Sequence, residues 1–120
     1  MADCLFCGIV RREVPSAAVL ETEHSYAFRD IHPAAPVHVL IVPKEHLGSV
    51  EDLGAGHNDL LGDLFGAIRA VAAKEGVAES GYRVVTNIGD DAGQLVPHLH
   101  FHVLGGRSLR WPPKGSDAGG

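Results

Sequence analysis

Cysteine is scarce in this chain, with two in 120 residues, and aromatic side chains make up only 6% of it. Two cysteines exclude a small disulfide-stapled scaffold, which needs several bridges. No apolar run approaches the roughly 20 residues of a membrane span. The start, Met1-Ala2-Asp3-Cys4, lacks the basic and then apolar pattern of a secretory leader. The expectation is a cytoplasmic protein with no membrane partner. Basic residues are also few: 10 Lys and Arg stand against 15 Asp and Glu, a net charge of −5. They are scattered, whereas tracking nucleic-acid phosphates needs them clustered, so no nucleic acid is expected as a partner. Neither G-x-x-x-x-G-K-[ST] nor G-x-G-x-x-G occurs, which excludes the Walker and dinucleotide phosphate cradles.

What the chain has instead is histidine, eight in all. Its length suits one domain with a real core. Leu5, Phe6, Ile9 and Val10 recur at three and four, predicting a short N-terminal helix that ends before Val14-Pro15. Ala18–Glu21 and Ser25–Asp30 read as a hairpin, and Val37–Pro43 as a mostly buried strand containing His38. Ser49 with Asp52 opens a helical turn, and the period from Asn58 through Leu64, Ile68 and Val71 predicts one long helix closing near Gly76. Tyr82–Ile88 and His98–Leu104 complete about five strands. Short links make the sheet antiparallel and the class α+β. One domain over 1–113 and a mobile tail over 114–120 are expected.

Pro97-His98-Leu99-His100-Phe101-His102-Val103-Leu104 carries most of the chemical information. On a strand the side-chain period is two, so three imidazoles share one face while Leu99, Phe101 and Val103 turn to the core. Such a row suits either a catalytic zinc ion, with His38 completing the set, or a histidine nucleophile with acid and base helpers. Just before it, Gly89-Asp90-Asp91-Ala92-Gly93-Gln94 has glycines that permit positive φ, letting backbone N–H groups converge on an anion. The C-x-x-C pair Cys4 and Cys7 points to metal or redox chemistry, without the βαβ context of a thioredoxin.

His98-Leu99-His100-Phe101-His102-Val103-Leu104 matches the His-φ-His-φ-His-φ-φ signature, and the chain resembles the histidine-triad superfamily from Leu5-Phe6 to its end. Leu104-Gly105-Gly106-Arg107 with Trp111-Pro112-Pro113 resembles the Hint branch, the histidine-triad nucleotide-binding proteins. The resemblance implies a histidine-triad fold whose sheet continues across a homodimer. It implies hydrolysis of adenosine or guanosine 5′-phosphoramidates and aminoacyl-adenylate-type substrates to nucleoside monophosphate, with no catalytic metal. His100 would form a nucleotidyl-histidine intermediate, His102 would contact the phosphate, and His38 and His98 would order the array.

By the same matching Asp30 falls at the ribose, and Leu5, Phe6, Ile9, Phe28 and Ile31 fall around the base. Asn87, Gly93, Gln94 and Val96 fall on the phosphate side, and Trp111 would reach the partner's site. Relatives that carry the cysteine pair imply a structural zinc on Cys4, Cys7, His46 and His98. Two positions depart from the pattern. Leu95 stands where a serine hydroxyl usually meets the phosphate or leaving group, and His32 where a smaller polar residue is usual. Three functional classes therefore stand side by side: the phosphoramidate hydrolase, a nucleotide-binding or scaffold protein with weak turnover, and a His-ligated zinc hydrolase.

Overall fold

A computed structural model describes residues 4–113; the expected tail, 114–120, lies outside them. In chain order the elements are α1 (Leu5–Val10), β1 (Ala18–Glu21), β2 (Ser25–Arg29), β3 (Val37–Pro43), α2 (Asn58–Lys74), β4 (Tyr82–Val85) and β5 (Phe101–Gly105). Single 3-10 turns lie at 50–52, 55–57 and 90–92. The five strands form one antiparallel sheet in the order β1-β2-β3-β5-β4, with a helix against each face. This is the α+β architecture that the periodicities predict.

The two faces of β3 explain the layering. Val39 and Ile41, with Phe101 and Val103 of β5, meet Leu60, Leu64, Ile68 and Val71 of α2. Each of these α2 side chains sits at the three- and four-residue spacing that makes one apolar stripe. On the opposite face Leu40 and Val42, with Tyr26 and Phe28 of β2, meet Cys4, Phe6, Cys7 and Ile9 at α1. Leu64 is completely buried, so truncating it leaves a cavity as well as losing transfer energy. Leu64→Ala is expected to destabilise the protein by about 3 kcal/mol, read as a lower urea midpoint at unchanged slope.

Two strands are shorter than their sequence pattern. β5 begins at Phe101 and not at His98, because its partner β3 ends at Pro43, which has no N–H to continue the ladder. The Leu99 N–H goes to the Leu47 carbonyl instead. β4 stops at Val85 and not at Ile88, where the Thr86 hydroxyl takes over the His100 carbonyl at 2.7 Å. The residues before β5 are thus held by hydrogen bonds outside the sheet. Leu99 still packs in the α2-side core, so the inward and outward alternation survives the loss of the ladder.

Candidate active site

Register brings the histidines together. β3 and β5 pair Leu40 with His102 and His38 with Leu104, so His38 and His102 are diagonal neighbours on the α1 side of the sheet. Their nitrogens, His38 Nε2 and His102 Nδ1, lie 2.9 Å apart. His100 continues the row, its ring 5.1 Å from that of His102 and 5.0 Å, edge to face, from Phe6.

Hydrogen-bond partners assign the protons. The Ala34 N–H donates to His38 Nδ1 at 3.0 Å, so His38 carries its proton on Nε2 and gives it to His102 Nδ1. His102 then has its proton on Nε2, a buried atom with no protein partner. His100 Nδ1 donates to the His98 carbonyl at 2.7 Å, which leaves the Nε2 lone pair of His100 free. Asp30 Oδ2 lies 3.5 Å from His38 Nε2, and Asp30 Oδ1 accepts from the His32 N–H at 2.8 Å. The array therefore offers one unshared lone pair and one unspent N–H.

Both groups belong to residues that line a cavity of about 340 Å³. Phe6, Ile9, Phe28 and Leu40 give it an apolar interior, and Phe6 and Phe28 meet edge to face at 5.6 Å. Asp30 and His32 add polar groups at one side, while Leu5, Ile31 and Leu95 line it as exposed apolar residues. An apolar cavity bordered by a carboxylate suits an aromatic base joined to a sugar.

Burial holds the imidazoles neutral. It pushes His102 down from 6.5 to about 4, aided by its neighbours His100 and His38, and lowers His38 and His100 as well. His102 is nearly inaccessible, so the cost of charging it bears on stability. Between pH 6.5 and 4 the unfolded chain binds a proton at this position that the native chain does not, so stability falls as pH falls through that window. Above pH 6.5 both states are neutral there and the effect vanishes. His102 alone is expected to remove about 3 kcal/mol over the window, with His38 acting in the same direction. Urea unfolding at a series of pH values measures it, and His102→Asn should flatten the curve.

A second cluster lies at the start of α1. The donor atoms of Cys4, Cys7, His46 and His98 all fall within 4.8 Å of one another. Individual edges are 3.2 Å for Cys4 Sγ to His98 Nδ1, Cys7 Sγ to His46 Nδ1 and His46 Nδ1 to His98 Nδ1, and 3.6 Å for Cys7 Sγ to His98 Nδ1. A tetrahedron with Zn–S near 2.3 Å and Zn–N near 2.0–2.1 Å has edges of roughly 3.3–3.8 Å, so the donor set fits. His98 Nε2 donates to the Pro43 carbonyl at 3.0 Å, which fixes Nδ1 as its bare nitrogen toward the thiols. Burial and the adjoining Cys4 push the Cys7 thiol up, the reverse of what a redox-active thiolate requires.

The three triad imidazoles thus face three ways: His98 toward the cysteines, His100 toward the cavity, His102 toward His38. The three do not all converge on one point, although Asp30, His38 and His102 bring donor atoms within 4.8 Å of one another.

Of the sequence-predicted residues, Leu5, Phe6, Ile9, Phe28, Asp30, Ile31 and Val96 line the cavity with His100 and His102. His38 stands behind His102. Asn87, Gly93, Gln94 and Trp111 are not in its lining. The Gln94 carboxamide is spent on backbone groups, donating to the Gly48 and Val96 carbonyls and accepting from the Gly89 N–H. Gly89 and Gly93 adopt the positive φ that their identity foretold, closing the loop. The Trp111 ring lies 5.7 Å from the Arg83 guanidinium, beside β4.

Sequence reasoning missed Val14, Pro15, Ser16, Arg29 and Leu40 as lining residues. Leu40 was findable, since it alternates with His38 on β3. Val14, Pro15 and Ser16 carry no local signal, because only the return of the chain after α1 brings them to the cavity.

A HIT domain model matches residues 11–109. An uncharacterized HIT-like protein of Synechococcus elongatus is 50% identical over 111 residues, 92% of this chain and 96% of its own length. The purine nucleoside phosphoramidase of Escherichia coli K12 is 43% identical over 107 residues, 89% of this chain and 90% of the enzyme. Among solved structures, a HIT family hydrolase from Legionella pneumophila superposes with a TM-score of 0.90 at 43% identity, covering 93% of this chain and all of that one. A histidine triad nucleotide-binding protein from Candida albicans gives 0.79 at 33% identity, over 94% of this chain and 85% of that one.

Proposed function

This chain belongs to the HIT-domain family, and from that premise we propose that it hydrolyses purine nucleoside 5′-phosphoramidates to a nucleoside monophosphate and an amine. The observation that carries the reading is the fixed His100 ring, which holds Nδ1–H on the His98 carbonyl and keeps Nε2 free at an apolar cavity. A neutral, aimed imidazole is a competent nucleophile for phosphorus.

In the mechanism the base occupies the apolar cavity lined by Phe6, Ile9, Phe28 and Leu40, and the ribose hydroxyls donate to Asp30. The His102 Nε2–H, which lacks a protein partner, donates to a phosphoryl oxygen as charge develops there. His100 Nε2 attacks phosphorus and the P–N bond breaks. The departing nitrogen takes a proton from water, since the neutral His102 keeps its Nε2–H as a hydrogen-bond donor. The hydroxide equivalent of that water then attacks the nucleotidyl-histidine, breaking the His100 Nε2–P bond and releasing the monophosphate, so that nitrogen has gained H and phosphorus OH. Ala34 and His38 act through His102, because their hydrogen bonds set its tautomer.

Cys4, Cys7, His46 and His98 would hold a zinc ion, which when bound supplies a structural cross-link from α1 to the segment before β5. α1 is worth fastening, since Leu5, Phe6 and Ile9 form one wall of the cavity. A homodimer joined through β4 completes the proposal. β4 is an edge strand with exposed Val84, and the exposed Trp111 ring lies against Arg83 of the same strand, features that support pairing with a second copy.

Rapid quenching during turnover of adenosine 5′-phosphoramidate, followed by peptide mass analysis, tests the reading: the nucleotidyl adduct should appear on His100. Turnover without any adduct would oppose it. One observation favours a second reading, a nucleotide binder with weak turnover: Leu95 brings an apolar side chain, and no donor, to the cavity lining. Nucleotide affinity without adduct or product would favour that reading.

A further inference from the structure

Leu95 is 86% exposed, the most exposed of the large apolar residues described, and it lines the cavity that holds His100 and His102. A single exposed leucine ordinarily needs no explanation. This one is held in place. On one side of it the Gln94 carboxamide ties the loop to Gly48, Gly89 and Val96 through three hydrogen bonds of 2.7–3.0 Å. On the other side Val96 packs with the apolar cluster of Phe6, Phe28 and Leu40. The exposure of Leu95 is therefore a property of an anchored backbone and not of a slack loop.

The cavity already provides for the rest of a nucleotide. Phe6, Phe28 and Leu40 suit a base, Asp30 a sugar diol, and His100 with His102 a phosphoryl group. Leu95 enters the lining from the segment that runs directly into His98 and His100. The one portion of a phosphoramidate without a counterpart is the substituent on its nitrogen.

We propose that Leu95 is a specificity-determining residue that covers the leaving amine and selects phosphoramidates whose nitrogen carries an apolar substituent. The proposal rests on the phosphoramidase reading. Contact with the substituent removes apolar surface of both partners from water, an effect worth roughly tenfold in selectivity for a group of a few carbons. A charged or strongly polar substituent of the same size gains nothing from the leucine and loses part of its hydration.

The test compares kcat/KM for two adenosine 5′-phosphoramidates of similar size, N-phenylethyl and N-carboxyethyl, on the wild type, Leu95→Ser and Leu95→Ala. The wild type should prefer the phenylethyl compound by about tenfold or more, and both variants should bring the ratio toward one, chiefly through KM. A wild-type ratio near one, or a preference that both variants retain, overturns the assignment of Leu95. If the wild type turns over neither compound nor the unsubstituted phosphoramidate, the hydrolase reading falls. The same compounds, then stable in the presence of the protein, are titrated calorimetrically. Tighter phenylethyl binding that Leu95→Ser abolishes supports the subsite, and equal affinities overturn it.

Discussion

His100→Ala should lower kcat for adenosine 5′-phosphoramidate by about 10⁴-fold or more, while the dissociation constant of the product monophosphate changes by less than about threefold. The asymmetry follows from what His100 touches. Its Nδ1 is bound to the His98 carbonyl, so alanine removes the attacking atom at the loss of that one hydrogen bond and of ring contacts to Phe6 and His102. The cavity is built mainly by Phe6, Phe28 and Leu40; Phe6 touches the His100 ring edge to face, and all three are packed in an apolar cluster of which His100 is not a member. A fall of that size corresponds to roughly 5–6 kcal/mol of transition-state stabilisation. Product binding that collapses together with kcat would instead mean that the ring props the pocket open.

Removal of zinc should be the largest single insult to stability. A chelator-treated sample is expected to melt about 15 °C below the zinc-loaded protein, equivalent to a loss of about 4 kcal/mol. Cys7→Ser should reproduce most of that shift without chelator. The reason lies in what the four donors join. Cys4 and Cys7 flank Phe6 at the start of α1, His46 follows β3, and His98 precedes β5, so one ion held by the four would tie three segments. At low temperature, where the stripped protein stays folded, kcat should fall only modestly and KM should rise as the α1 wall loosens. Metal analysis by emission spectroscopy gives the ratio of zinc to chain. Zinc-free protein with an unaltered melting temperature would remove the metal from the account, and turnover lost in step with zinc would favour a catalytic ion.

The parts of the fold that were legible in the sequence are those where one periodicity spans a whole element. The stripe Leu60, Leu64, Ile68 and Val71 defined α2, and the β-branched run of β3 defined the centre of the sheet. Alternation over residues 98–104 also placed the imidazoles correctly on the face away from α2. It overstated the strand, because alternation reports which side a residue faces and not whether a neighbour donates the next ladder bond. Pro43 and Thr86 decided that, and both act across long sequence separations.

The site was legible to the same degree. Phe6, Asp30, His100 and His102 followed from a motif, and they converge on the cavity. Gln94 did not follow, since a glutamine beside a glycine loop is equally suited to contact a phosphate or to tie its own loop. Here its carboxamide is fully engaged within the protein. Val14, Pro15 and Ser16 were invisible for a different reason. They have no chemistry of their own to announce, and their place depends on how the chain leaves α1.

The 3.2 Å contact between Cys4 and His98 joins residues 94 positions apart. Synthesis proceeds from the N-terminus, so α1 emerges long before the segment that secures it. Until His98 has been made, Phe6 and Ile9 have only part of their final surroundings, and the two thiols stand uncovered beside an incomplete sheet. Contacts of such separation close late and slowly. The helix that walls the cavity is therefore translated well before the segment it docks against, and the nascent chain must keep that apolar turn from other partners in the interval.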